Sequence, residues 1–163
     1  MHNLRLSDAK VSFFGVGGAS VRGPKSIISK LHGWLSASTW KVVFLQLGNN
    51  DLCSPHCQPE QLSSDIVAPA KFILSGYSVQ RVVIGQVHGR LACSYGFNEK
   101  VRNTNKLLRM AVADHSDVFF ASIRGLTHPY SAHFSRDGVH FNTFGNKKYF
   151  NGVRGAILRA LKN

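Results

Sequence analysis

Hydrophobic segments switch between two periods along the whole chain, and that alternation restricts the fold more than any single residue does. Residues 10–16 (KVSFFGV), 41–47 (KVVFLQL), 79–87 (VQRVVIGQV) and 117–122 (DVFFAS) are short apolar runs, several closed by glycines, and each reads as a buried strand. The stretches between them carry helical spacing. Residues 24–35 open with Pro24 and place Ile27, Ile28, Leu31 and Leu35 on one face. Residues 59–75 do the same with Leu62, Ile66, Ala70, Ile73 and Leu74, with Pro69 expected to kink the helix. Residues 98–113 follow through Val101, Leu107, Leu108 and Ala111. A tail helix over 143–161 stacks Phe150, Val153, Ile157 and Leu161, with Lys147, Lys148, Arg154 and Arg159 mostly on its other faces. Four strands alternating with helices imply an α/β fold with a parallel sheet, right-handed crossovers and helices on both faces. At 163 residues the chain reads as one domain, 1–163, long enough to bury a core.

Parallel sheets of this kind bind ligands beyond the carboxyl ends of their strands, so strand ends are where chemistry is sought. Three motifs stand there. Gly15-Val16-Gly17-Gly18 follows the first run, Gly48-Asn49-Asn50-Asp51 the second, and Asp137-Gly138-Val139-His140 lies after the last. An Asp three residues before a His accepts the Nδ1–H and leaves Nε2 as a general base. By itself the pair is also an ordinary turn, since Arg136-Asp137-Gly138 is turn-like. Asn50 offers an amide donor to a developing oxyanion, and Asp51 suits the cap of the next helix. The glycine run leaves two readings open. It is either a phosphate-cradling loop, without the lysine of a P-loop, or a turn whose Gly18 N–H points at the same oxyanion as Asn50.

Charge is the unusual element of composition. Twenty Lys and Arg against eight Asp and Glu give +12, which favours anionic partners, nucleic acid above all. The tail helix is the stretch expected to carry such contacts, against the plainer reading of a solvated face. No apolar run approaches a membrane span and residues 1–10 do not form a signal peptide. Three cysteines leave at least one unpaired, which points to an intracellular chain, cytoplasmic or nuclear. Cys53, His56 and Cys57 form half of a zinc-like set whose second half is absent, so a loop with ordinary thiols is the expectation and no metal or cofactor is assigned.

The order Gly-x-Gly-Gly, Gly-x-Asn-Asp and Asp-x-x-His resembles the SGNH (GDSL-type) hydrolases, esterases and lipases with a flavodoxin-like three-layer α/β/α fold. More narrowly, KVSFFGVGGASV, VVFLQLGNNDLC, RVVIGQVHGR, the Phe97–Val101 segment and DGVHFNTFGNKKYFNGVRGAI resemble the esterase-like domains of LINE-type retrotransposons and related animal proteins. The likeness runs from Lys10 to Leu161. It implies a small ester substrate, Gly18 and Asn50 as oxyanion donors, and Asp137 with His140 as the acid–base pair. The family's first block, a Gly-Asp-Ser turn after the first strand, is absent. Ser7 lacks a preceding strand and stands too close to Gly18. Ser20 is separated from the Asn50 strand by one helix, where the family has two helices and a strand. The resemblance therefore implies an N-terminally truncated domain, short of the first strand and helix of the family and inactive without its nucleophile. The alternative is a non-catalytic basic module binding nucleic acid or an anionic surface. Arg90 and Arg124 follow the third and fourth strands and face either the site or a structural salt bridge, and His128 has no assigned role.

Overall fold

The computed structural model describes residues 4–6 and 9–162, so Ser7 lies outside the described residues. Its centre is a sheet of three parallel strands, β1 (Val42–Leu45), β2 (Arg81–Gly85) and β3 (Val118–Ala121), in the order β1-β2-β3. Val43 pairs with Val82, and Val83 with Phe119. Both crossovers step the same way across the sheet, and right-handed crossovers that do so put both helices on one face. These helices are α2 (Pro59–Gly76) and α3 (Phe97–Ala111), which pack on each other and on the sheet. A shorter helix, α1 (Ile28–Leu35), adds Leu31 and Leu35 to the same buried cluster. On the opposite face the helix is α4 (Thr143–Lys162), joined by Leu4, Leu6 and Val11 in a cluster that includes Phe44 of β1. Alternation along β2 divides the core: Val82 and Ile84 enter the α1–α3 side, while Val83 meets Ala156 and Ala160 of α4. The result is the three-layer α/β/α sandwich with a parallel sheet.

Residues 10–16 depart from the sequence reading, because they form no strand. Their side chains still alternate. Phe13 meets Phe150 of α4 edge-on at 6.1 Å, and Phe14 stacks on Trp34 at 5.2 Å. The two rings thus make contacts on two sides but stay largely exposed, and the backbone of the run joins no ladder. Among the described residues, the outer edge of β1 is unpaired.

Smaller corrections concern the helices. α1 starts at Ile28 rather than Pro24, because Ser26 organises its entry. The Ser26 hydroxyl donates to the Val21 carbonyl at 2.6 Å and accepts from the Ile28 N–H at 3.2 Å. α2 runs through Pro69 without interruption. In α4, Ala156 and Ala160 are buried while Leu161 is exposed, because close approach to the sheet favours small side chains. The basic residues of α4 are divided too: Lys147 and Arg159 are exposed, whereas Lys148 and Arg154 are half-buried. Lys148 lies 3.3 Å from His133 Nε2 and over the Phe144 ring. Among the described residues, no helix is long and apolar enough to cross a membrane.

Candidate active site

The loop leaving β1 can turn sharply because Gly48 takes a φ of 103°, and a Cβ there would stand 3.0 Å from Val87 Cγ2 and 3.1 Å from Ile66 Cδ1. The next residues reach back to the glycine turn. Asn50 Nδ2 donates to the Ala19 carbonyl at 2.8 Å, and Asp51 Oδ1 accepts the Val21 N–H at 2.9 Å. These bonds set Asn50 beside Gly18, which adopts a φ of 70° and uses its N–H in no hydrogen bond among the described residues. An asparagine amide has two N–H donors, so one remains on Asn50.

The loop leaving β2 is held by asparagines, which the sequence reading did not single out except for Asn49 and Asn98 as motif members. Asn105 accepts the Val87 N–H and donates to its carbonyl, both at 2.8 Å. Asn49 accepts the His88 N–H at 3.3 Å and donates to its carbonyl at 2.6 Å. Asn98 treats Arg90 in the same way, at 2.9 and 2.8 Å. Each amide stands in for a strand partner, which satisfies a backbone that has run past the ladder. Gln86 adds a buried hub, donating to the Leu126 carbonyl at 2.7 Å and accepting the Ile123 N–H at 3.0 Å.

So held, Arg90 aims its guanidinium at the first loop. Nη2 lies 3.3 Å from Asn50 Oδ1, Nη1 lies 2.9 Å from Cys53 Sγ, and the group sits over the Phe97 ring. Arg90 contacts Asn50, and among the described residues no carboxylate pairs with it. The strand-end position was the available signal. Arg124 is exposed, without a described ion pair, and His128 borders a cleft beside α3.

Asp137 and His140 occupy a hairpin closed by the bridge between Phe134 and Phe141. His140 Nδ1 stands 2.7 Å from Asp137 Oδ2. Asp137 Oδ1 accepts the N–H groups of Val139 at 2.9 Å and His140 at 3.0 Å. The His140 side chain followed by its amide and that of Val139 pulls the Asp137 carboxyl down to about 2. The pair is solvent-facing, with His140 80% exposed in its side chain. Gly138 docks the hairpin on the β2 loop, its carbonyl accepting the N–H groups of Leu91 at 2.8 Å and Ala92 at 3.1 Å. A continuous path therefore runs from Ala19, the residue after Gly18, through Asn50, Arg90 and residues 91–92 to the Asp137–His140 hairpin.

Ser20 takes no part in it. Its hydroxyl donates to the Arg22 carbonyl at 2.6 Å, its backbone bridges Ser26, and no hydrogen bond links it to His140. All three cysteines are free thiols, and burial, followed by the charge of Asp51, raises that of Cys57. Among the described residues no group of three or more His, Cys, Asp or Glu side chains is placed to hold a metal. His88 is buried against Phe141 and Tyr149, and burial lowers its imidazole to about 4.

No family model matches the chain, and a search of curated proteins finds no match. Solved structures do resemble it. A protein assigned as an acylhydrolase from Bacteroides fragilis superposes with a TM-score of 0.69 at 14% identity, over 88% of this chain and 72% of that one. A family 3 carbohydrate esterase from Clostridium thermocellum gives 0.58 at 24% identity, over 90% and 70%. A GDSL-like lipase from Bacteroides thetaiotaomicron gives 0.56 at 15% identity, over 73% of this chain and 62% of that one. At these identities the likeness is one of fold.

Proposed function

We propose that this chain carries the base and oxyanion portions of an SGNH-type acyl-ester hydrolase site, related to the esterase-like domains of LINE-type elements. The observation that carries the reading is the hydrogen-bonded path joining Ala19, next in sequence to Gly18, with Asn50, Arg90 and the Asp137–His140 hairpin, segments far apart in sequence. Neighbours described as an acylhydrolase, a lipase and an esterase support it at the level of fold.

In this reading Asp137 holds Nδ1–H of His140, so Nε2 is the nitrogen that accepts a proton from an attacking hydroxyl. The Gly18 N–H and the second N–H of Asn50 meet the negative charge that develops on the carbonyl oxygen of a small ester. Arg90 is a positioning residue, acting on Asn50 Oδ1. The attacking serine is the part not supplied. Ser20 is committed to its own turn, and a serine would come from a strand ending in a Gly-Asp-Ser turn. Without that serine this chain is hydrolytically silent.

Two measurements test this. Acetate, the acid product of a small ester, is titrated while amide and imidazole signals are followed by NMR. Shifts at Gly18, the Asn50 side chain and His140 are expected, lost at Asn50 in Asn50→Ala. Shifts scattered over lysines instead would sink the oxyanion assignment. Hydrolysis of p-nitrophenyl acetate is then compared with His140→Ala. Equal rates are expected, and His140-dependent turnover would overturn the statement that the nucleophile is missing.

A further inference from the structure

A cleft of about 260 Å³ opens between α3 and the chain that leaves β3. Arg102, Lys106 and Arg109 line one wall, and His128, Ser122 and Phe120 are among the residues opposite. None of these residues belongs to the Asp137–His140 site. The three cations recur at four- and three-residue steps, which is one face of a helix, spread over about 10 Å of its axis.

Their charge is uncompensated. No Asp or Glu lines the cleft, and the ion pairs of the described residues are Arg22–Asp65 and Asp137–His140. Like charges one helical turn apart repel, and an anion seated among them relieves that repulsion. Arg109 is already aligned, its guanidinium 5.5 Å from the centre of the Phe120 ring. Cations beside an aromatic ring suit a phosphate attached to a flat organic group better than a bare ion.

We propose that this cleft binds the phosphate of a nucleotide, either free or as one unit of a single-stranded chain, through Arg102, Lys106 and Arg109. This places the anion-binding consequence of the +12 charge on α3 rather than on α4, whose Lys148 and Arg154 are half-buried. The Ser122 hydroxyl and His128 are the further polar groups available to the ligand.

The test uses the full chain, a fluorescent adenosine monophosphate and a short labelled single-stranded RNA. R102A/K106A/R109A is compared with K147A/R159A/K162A, which removes the same charge from α4. Circular dichroism establishes that both are folded; if the first is not, Arg102→Gln and Arg109→Gln are read singly. The α3 variant is expected to bind RNA about tenfold or more weakly, with its logarithmic salt slope shallower by about 2. The α4 variant should stay within about twofold of the parent. Competition of the mononucleotide with RNA identifies a single-nucleotide site, and RNA binding without it identifies a strand; either upholds the cleft. Equal losses in both triples, unchanged binding in the α3 variant, or no binding of either probe to the parent would overturn it.

Discussion

Asn98 grips both backbone polar groups of Arg90, donating to the carbonyl at 2.8 Å and accepting from the N–H at 2.9 Å. The contact crosses from the first turn of α3 to the loop after β2, and it fixes the base of the side chain that reaches Asn50. Asn98→Ala removes both bonds and is expected to lower stability by about 1–3 kcal/mol. Urea unfolding measures the loss. Loss below a few tenths would show that water replaces the amide without cost.

Gly138 is the joint between the hairpin and the β2 loop. Its φ of 65° disfavours any side chain, and a Cβ would stand 2.8 Å from the Ala92 nitrogen. Gly138→Ala should cost about 1–3 kcal/mol locally. Amide exchange at Leu91 and Ala92 should accelerate well beyond that of β2, and unchanged protection there would contradict the docking role.

The Asp137 carboxyl has its own signature. With His140 replaced by alanine, the largest cause of its lowered value disappears while the backbone donors remain. Carboxyl titration by NMR should move upward from about 2 toward, without reaching, the ordinary aspartate value of 3.8. The sign follows from linkage: a carboxyl held low when folded contributes stability above the unfolded value, lost as pH falls through the folded one, here between about 4 and 2. A value unmoved by His140→Ala would leave the pair without electrostatic coupling.

His88 gives acid sensitivity at a milder pH. It is buried neutral, so the unfolded chain binds a proton near 6.5 that the folded chain refuses until about 4. Stability is present above 6.5 and falls as pH drops through that window, by about 2–3 kcal/mol between pH 7 and 4.5. His88→Gln, which does not titrate, should flatten this part of the profile whatever its absolute stability. Parallel profiles for the two proteins would assign the acid loss to other groups.

The cores of three strands and four helices were legible because apolar spacing directly reports burial. Residues 10–16 show where that logic stops. Phe13 and Phe14 alternate like strand residues and pack to opposite sides, yet a ladder needs backbone partners, which side-chain pattern does not reveal. The motif residues Gly18, Asn50, Asp137 and His140 were visible as short spaced motifs, although of these only Asn50 directly follows a strand, β1. The grip of Asn49, Asn98 and Asn105 on the β2 loop was not, since an asparagine 8, 18 or 39 residues away carries no local mark of the carbonyl it meets. Arg90 lay between these cases, marked by position and resolved only by its contact with Asn50.

Because the helix on one face of the sheet is α4, which follows all three described strands, the order of synthesis acquires a cost. Each parallel pairing must close a loop of roughly forty residues before any ladder forms. Even after β3 has emerged from the ribosome, Val83 and Ala121 wait for Ala156 and Ala160 to be translated. At about 5–20 residues per second that interval lasts seconds, with half of the sheet uncovered beside a strand edge. The nascent chain is therefore a natural client for chaperones that shield apolar sheet surface, and its yield should depend on how fast the last helix is made.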